Sequence, residues 1–153
     1  MLKFQDKIAL ITGSGTGIGL AIATKFVENG ASVIILGRRK EVLEEAAIKL
    51  KDAISKVNSG AKVTIFAGVD VADETAMNNM FDSLKNDNVT IDYIINNAGV
   101  SGPVTCFANA PLDEFKSTIA IHLTGTFWGS VQALKVMKEG GKIITISTFF
   151  TEE

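Results

Sequence analysis

Apolar residues follow two alternating patterns along the chain. Short continuous runs rich in Ile, Val and Leu predict β-strands, and longer segments with apolar residues at helical spacing predict helices. The five predicted strands cover residues 8–11, 32–36, 62–66, 91–95 and 142–147. Strands that are apolar throughout are typical of a sheet buried on both faces. We therefore predict an α/β protein, a single domain over residues 1–153, with a parallel sheet and helices on each side.

The longest predicted helix covers residues 112–138, and Gly140-Gly141 ends it. Its apolar side chains recur at helical spacing, so we expect them to face the sheet. They are Phe115, Ile119, Leu123, Phe127, Val131 and Leu134.

Composition and charge exclude several classes of protein. The 153 residues include 15 basic and 17 acidic side chains, and a net charge of −2 argues against a nucleic-acid partner. One cysteine, Cys106, excludes an internal disulfide framework, and with only one histidine, His122, no metal site is expected. No apolar segment is long enough for a signal peptide or a membrane span, so we expect a cytoplasmic protein without a membrane partner.

A glycine-rich turn follows the first predicted strand and opens a helix. Its pattern is Thr12-Gly13-x-x-x-Gly17-x-Gly19, with Ser14, Thr16 and Ile18 between the glycines. Glycines let the backbone approach a phosphate closely, and a helix N-terminus offers N–H groups and a favourable dipole. The turn lacks the lysine of a P-loop. It predicts a phosphate-binding loop, with a plain turn as the alternative.

Two arginines follow the second predicted strand. An acidic residue here would bind a ribose 2′-hydroxyl and favour NAD, but the sequence has Gly37-Arg38-Arg39. A guanidinium pairs well with a phosphate dianion, so Arg38 and Arg39 favour NADP (NADPH) over NAD. The alternative is a solvated charge pair.

Three further clusters lie at predicted strand ends. Asp70-Val71 follows the third strand, and its carboxylate can accept a hydrogen bond from an adenine amine. Asn96-Asn97-Ala98-Gly99 follows the fourth strand and leaves room for a ribose, although these residues are also turn formers. The hydroxyls of Ser147 and Thr148 can polarise a carbonyl, or belong to an ordinary strand.

Taken in this order, the motifs resemble those of the short-chain dehydrogenase/reductase family, and most closely its 3-oxoacyl-acyl-carrier-protein reductases. The resemblance implies a Rossmann-like doubly wound sheet with strand order 3-2-1-4-5. It implies hydride transfer between NADP(H) and a carbonyl or alcohol, and a homo-oligomer. Gly13, Gly17, Gly19, Asn97, Ala98 and Gly99 then bind the cofactor, together with Ser14, Thr16, Ile18, Arg38, Arg39, Asp70 and Val71.

The resemblance also assigns catalytic positions. Thr148 matches the family's catalytic serine, with Ser147 beside it. His122 stands where the family has a helix asparagine, and an imidazole there is either a proton relay or a packed side chain. The family's Tyr-x-x-x-Lys is expected beyond Thr148 and is absent from the sequence, since the one tyrosine, Tyr93, lies in a predicted strand.

The sequence favours two functions and argues against a third. The first is that the chain is the N-terminal, cofactor-binding part of a longer NADP-dependent oxidoreductase and is inactive alone. The second is a non-catalytic NADP(H)-binding module. A methyl-donor binder is a third alternative, which Arg38 and the cluster at Asn97 argue against.

Overall fold

The computed structural model describes residues 2–147 and contains five strands and five principal helices, with one helix after each of the first three strands and two between the fourth and fifth. Their bounds are β1 Ile8–Thr12, α1 Gly17–Glu28, β2 Ser32–Gly37, α2 Lys40–Val57, β3 Val63–Ala67, α3 Glu74–Asn86, β4 Ile91–Asn96, α4 Leu112–Ile119, α5 Thr126–Leu134 and β5 Met137–Thr145. A π-helical turn, Ala120–Gly125, joins α4 to α5, and a short 3-10 turn, Phe107–Asn109, precedes α4.

All the strand pairs are parallel, and the sheet order is β3-β2-β1-β4-β5. This confirms the predicted fold class and strand order. The order reverses between β1 and β4, and ligands of such sheets bind beyond the carboxyl ends of the strands at that point.

Two apolar clusters cover the two faces of the sheet, as the continuous strands predict. One lies between the strands and helices α1 and α2, and it includes Ile11, Phe26, Leu43 and Leu50. The other lies under α3 and α5, and it includes Leu10, Met77, Phe81, Ile94 and Ala133. Neighbouring residues Leu10 and Ile11 thus pack on opposite faces, because side chains alternate along a strand.

The prediction of one helix over residues 112–138 is wrong. The helix is interrupted by the π-helical turn, ends at Leu134, and gives way to β5 at Met137. The segment from Met137 is drawn into the sheet because it pairs with Ile91, whose N–H donates to the carbonyl of Val136. Pairing with a distant strand overrides the helical pattern of the sequence.

The glycine pair lies inside β5 instead of ending a helix. Ile91 pairs with Met137, but Tyr93 pairs with Lys142, so β5 carries extra residues at this point. Gly140 has φ +79°, which glycine adopts readily. Gly140-Gly141 therefore accommodates an irregularity, after which Lys142 to Thr145 run in register with β4.

The expected inward face of α4 and α5 is also wrong. The residues packed beneath α5 are small or polar, with Gly129, Gln132 and Ala133 buried. Five of the six residues expected to face the sheet are exposed, and Val131 is half-buried. Together with Leu112, the five exposed residues form a stripe, here called the α4–α5 stripe. It comprises Leu112, Phe115, Ile119, Leu123, Phe127 and Leu134. Periodicity identified residues that share a face but not the face that the sheet covers.

An ionic cluster holds the amino end of the sheet together. Asp92, the second residue of β4, accepts a hydrogen bond from the N–H of Ile8 at 2.9 Å and pairs with Lys7 at 3.1 Å and Lys138 at 3.4 Å. Burial raises the pKa of Asp92, but the hydrogen bond and the two ammonium groups outweigh it, so its pKa lies below the ordinary value. The cluster links β1, β4 and β5 at the edge opposite their carboxyl ends.

Candidate cofactor-binding site

A cleft of about 370 Å³ lies at the carboxyl ends of the strands. It is formed by the turn after β1, the ends of β2 and β3, the segment after β4 and the π-helical turn. Twelve of the residues predicted from the sequence line it: Gly13, Thr16, Gly17, Ile18, Gly19, Arg38, Arg39, Asp70, Val71, Asn97, Ala98 and Gly99. The strand-end clusters thus meet in one place.

The glycines of the first turn fit a close approach of backbone to ligand. Gly13 has φ +63°, and an added Cβ there would lie 2.9 Å from the Cα of Ala98. A Cβ on Gly19 would lie 2.5 Å from Asn97 Nδ2. Gly17 has φ +53° with open space beside it. The turn is therefore packed tightly against the segment after β4 and is open above Gly17.

The N-terminus of α1 points into this opening. Thr16 is the N-cap residue, but its side chain makes no capping hydrogen bond within the described part of the chain. The first turn of α1 contains no acidic residue, so the positive end of the helix dipole is not neutralised locally. Backbone N–H groups and dipole together suit a phosphate group.

Ser14 has a structural position. It is fully buried, its hydroxyl donates to the carbonyl of Ile11 at 2.8 Å, and it accepts from the N–H of Leu36 at 3.1 Å. Ser14 therefore fixes the turn to β1 and β2 and does not line the cleft.

Asn97 ties the segment after β4 to the glycine turn. Its side-chain amide donates to the carbonyls of Thr12 at 3.0 Å and Gly13 at 3.2 Å. The Thr12 hydroxyl accepts from the N–H groups of Asn97 and Ala98, both at 2.9 Å. These bonds fix the distance between the glycine turn and the segment after β4 at the floor of the cleft. Asn96, by contrast, is buried and donates to Ser130.

The far end of the cleft carries opposite charges. Arg38 Nη1 lies 3.7 Å from Asp70 Oδ2, and both side chains remain partly exposed. Arg39 lines the same region. Val71 lies beside Asp70 and is largely buried under the π-helical turn, where an added Cβ on Gly125 would contact it.

His122 lies in the π-helical turn and contacts the segment after β4. Its Nε2 is 3.0 Å from the N of Val100 and 2.7 Å from the carbonyl oxygen of Val100. In the tautomer with no proton on Nε2, this nitrogen accepts a hydrogen bond from the N–H of Val100. In the tautomer with a proton on Nε2, it donates to the carbonyl of Val100. A Cβ on Gly99 would lie 2.6 Å from His122 Cε1, so glycine is required for the ring to pack there.

The remaining predicted residues follow β5. Ser147 is exposed at the end of the described chain, and Thr148 lies outside the described residues. Tyr93 is in β4 and packs against Phe4 and Phe26, with ring centroids 5.8 and 5.3 Å away. This confirms the prediction that Tyr93 lies in a strand, where it is half-buried against the core.

Sequence reasoning missed several apolar residues of the cleft: Leu36, Val42, Leu43, Val69, Val100 and Ile121. Val100 directly follows the Asn96–Gly99 cluster, and Val69 directly precedes Asp70. Their positions next to these motifs were the sequence signal that could have placed them in the cleft. Val42 and Leu43 lie in the first turn of α2, and only the fold shows that this turn faces the cleft.

Comparison with known proteins identifies the family. The model of the short chain dehydrogenase family matches residues 7–152. The chain belongs to the short-chain dehydrogenase family. Among curated members, it is 34% identical over 147 residues to a 3alpha-hydroxysteroid dehydrogenase of Mediterraneibacter gnavus, covering 96% of this chain and 56% of that protein.

Two other members give similar agreement. The chain is 33% identical over 149 residues to the NADP-dependent (R)-specific alcohol dehydrogenase of Lentilactobacillus kefiri, covering 95% of this chain and 56% of that protein. NAD+-bound xylitol dehydrogenase superposes with a TM-score of 0.84 at 30% identity, over 94% of this chain and 53% of that one. The chain thus spans about half the length of these family members. No helix among residues 2–147 has the length and apolarity needed to cross a membrane.

Proposed function

We propose that this chain is the cofactor-binding part of an NADP-dependent oxidoreductase, in which hydride passes between NADP(H) and a carbonyl or alcohol substrate. The observation that carries the proposal is the cleft in which the glycine turn, Arg38, Asp70 and Asn97 meet. Residues 1–153 form one dinucleotide-binding domain in this proposal. When bound, the nicotinamide supplies the hydride chemistry.

In this proposal, different residues of the cleft contact different parts of the cofactor. The N–H groups of the turn from Gly13 to Gly19 hold the pyrophosphate, because the N-terminus of α1 opens there. Asp70 accepts from the adenine amine, with Val71 beside it. Asn97, Ala98 and Gly99 leave space for the nicotinamide ribose, because the side chain of Asn97 is turned towards the glycine turn.

NADP is favoured over NAD by Arg38 and Arg39, since no acidic residue stands at the end of β2. The relatives include both an NADP-dependent and an NAD+-bound protein, so the choice rests on these two side chains. We expect Arg38→Asp to weaken NADPH binding at least about 10-fold and NADH binding much less, because it replaces a phosphate partner with a like charge. Calorimetric titration of both cofactors measures this, and equal losses would overturn the NADP assignment.

We further propose hydroxyl and imidazole roles in the reaction. The hydroxyls of Ser147 and Thr148 orient the substrate carbonyl, and His122 relays a proton. Among the described residues, the His122 ring forms hydrogen bonds only with the backbone of Val100. A 3-oxoacyl thioester is one candidate substrate, suggested by the likeness of residues 7–19 and 123–127 to reductases of that class.

Cofactor binding without turnover is the second candidate function. It is favoured by the position of Tyr93, the one tyrosine of the sequence, which packs among aromatic residues away from the cleft. Tight NADPH binding with no NADPH oxidation on addition of carbonyl substrates would support this alternative for the chain alone. A cytoplasmic location remains a prediction.

The α4–α5 stripe suits contact between copies of the chain. Six large apolar residues are exposed there along consecutive helical segments. Together they form a larger contiguous apolar surface than single, scattered surface residues would form. We propose a homo-oligomer formed through this stripe. Light scattering should show that Phe115→Glu lowers the oligomer mass, whereas Ile48→Glu, an exposed position on α2, leaves it unchanged. A wild-type monomer would contradict the proposal.

A further inference from the structure

Arg38 and Asp70 are brought side by side by the backbone. The N–H of Val69 donates to the carbonyl of Gly37 at 3.2 Å, and each of these residues immediately precedes one member of the pair. β2 and β3 are neighbours in the sheet, with Gly37 paired to Ala67. The contact is therefore set by strand register as well as by two flexible side chains.

The Asp70 carboxylate is also held in place locally. Its Oδ1 accepts from the N–H of Ala72 at 3.0 Å, and its backbone carbonyl accepts from the N–H of Asp73 at 3.0 Å. These two bonds leave Oδ2 directed towards Arg38, at 3.7 Å from Nη1. The carboxylate thus faces the guanidinium without needing a ligand to orient it.

We infer that Asp70 is a specificity-determining residue that reduces the preference of this cleft for the 2′-phosphate of NADPH over the 2′-hydroxyl of NADH. The inference rests on the proposed function, in which Arg38 holds that phosphate. A phosphate on Arg38 must share the guanidinium with Asp70 and is repelled by its carboxylate. NADH carries no charge at this position, so Asp70 affects it far less.

This role is separable from any contact of Asp70 with adenine. Both cofactors present the same adenine, so a lost or altered adenine contact changes both dissociation constants by the same factor. The ratio of the NADH constant to the NADPH constant isolates the effect on the 2′-phosphate. An asparagine at position 70 also keeps an oxygen that can accept from Ala72.

The test is Asp70→Asn in the full chain, with NADPH and NADH titrated separately by calorimetry. We expect the ratio of the dissociation constants, NADH over NADPH, to rise about 3- to 10-fold at low salt, and to rise less at high salt because the charges are partly exposed. Asp70→Ser, which also keeps an oxygen for the turn, should raise it similarly. Equal unfolding midpoints in urea would confirm that the variants are folded.

Asp73→Asn is the matched control. It removes the same formal charge three residues away, but the Asp73 side chain caps α3 through the N–H of Ala76, a role that asparagine also fills. Its ratio should stay within about 1.5-fold of the wild type, because exposed charges at a distance are screened. An equal rise in both variants would overturn a specific role for Asp70.

The outcomes also separate this inference from the NADP assignment. If Arg38→Asp weakens NADPH selectively but Asp70→Asn leaves the ratio unchanged or lowers it, the role of Asp70 is overturned and the assignment stands. If Arg38→Asp affects both cofactors equally, the assignment itself fails. A selective Arg38→Asp together with a raised ratio in Asp70→Asn supports both.

Discussion

Thr12 accepts two hydrogen bonds from Asn97 across the ends of β1 and β4. The hydroxyl of Thr12 accepts from the backbone N–H of Asn97, and the carbonyl of Thr12 accepts from the Asn97 side chain. Thr12 is almost completely buried. The two strands at the centre of the cleft are therefore joined by side chains where the backbone ladder of the sheet ends.

Replacing Thr12 by valine removes the hydroxyl at nearly constant volume. The N–H groups of Asn97 and Ala98 lose their acceptor, so we expect the free energy of unfolding to fall by about 1–3 kcal/mol. NADPH binding should weaken as well, because the floor of the cleft loosens. Urea unfolding followed by the fluorescence of Trp128, with calorimetry of NADPH, measures both. Thr12→Ser keeps the hydroxyl and should retain most of the stability and affinity, and a serine variant as unstable as the valine variant would argue against this.

Two glycines of the same turn should respond differently to alanine. In Gly19→Ala the new Cβ meets Asn97 Nδ2 and the carbonyl oxygen of Gly13, both at 2.5 Å, and we expect a loss of about 1–3 kcal/mol of stability. In Gly17→Ala nothing lies within 4 Å, and only the φ of +53° opposes it, at a cost of about 1 kcal/mol.

NADPH affinity is the second readout for this pair of variants. Gly17 lines the cleft above the N-terminus of α1, where an added methyl group hinders a phosphate. Gly17→Ala should therefore weaken NADPH binding out of proportion to its small effect on the urea midpoint. Undiminished NADPH binding by Gly17→Ala would remove the turn from the proposed phosphate site.

Substitutions of Gly99 and His122 should have coupled effects on the free energy of unfolding. Gly99→Ala places a Cβ 2.6 Å from His122 Cε1 and displaces the ring from Val100, so we expect a loss of about 1–3 kcal/mol. His122→Ala alone removes an exposed hydrogen bond and should cost about 1 kcal/mol. The double variant should be more stable than Gly99→Ala alone, because the clash is gone. Strictly additive losses in urea unfolding would show that the ring does not occupy this position.

Asp92 should give the protein an acid-dependent part of its stability. Its pKa is lower in the folded chain than in the unfolded chain, so its contribution is complete above the unfolded value of about 4 and is lost as the pH falls through the folded value. The hydrogen bond and charge of Asp92 raise the pKa of Lys7, and that contribution is lost only when the pH rises through the raised value. The cluster is thus fully effective near neutral pH.

Asp92→Asn should therefore lower the free energy of unfolding by about 1–3 kcal/mol at neutral pH. The difference from the wild type should shrink as the pH is lowered below about 4. Urea unfolding at a series of pH values measures it. Asp52→Asn, which breaks an exposed pair within α2, serves as the control and should have little effect at any pH. A difference between Asp92→Asn and wild type that does not change with pH would contradict the role of the charge.

The sequence predicted the parts of the fold that local pattern decides. The first four strands lie within one residue of their predicted bounds, and the clusters after them meet because parallel strands place their carboxyl ends at one edge. The start of β5 was misjudged because the sequence pattern predicts helix for residues 137 and 138 until pairing with Ile91 is known. The α4–α5 stripe was predicted to face the sheet, but apolar periodicity alone does not show which part of the protein covers a helix face.

The site shows the same division. The glycine turn, Asn97 and Arg38 were identified from residue type and position. The pairing of Arg38 with Asp70 was not, since the two are far apart in the sequence and only the register of β2 and β3 brings them together. The buried position of Ser14 was missed because its hydrogen bonds to Ile11 and Leu36 depend on the packing of two strands. Asp92, a charged residue within an otherwise apolar strand, is the sequence feature that indicates the ionic cluster.

The Asp92 cluster and the cleft lie at opposite edges of one sheet. The residues proposed to select the cofactor do not contact the Asp92 cluster, on which the pH dependence of stability rests, so the two properties are free to change independently. Variants of this chain with altered cofactor preference, whether evolved or engineered at Arg38 and Asp70, would therefore keep the pH dependence of stability that Asp92 gives the parent.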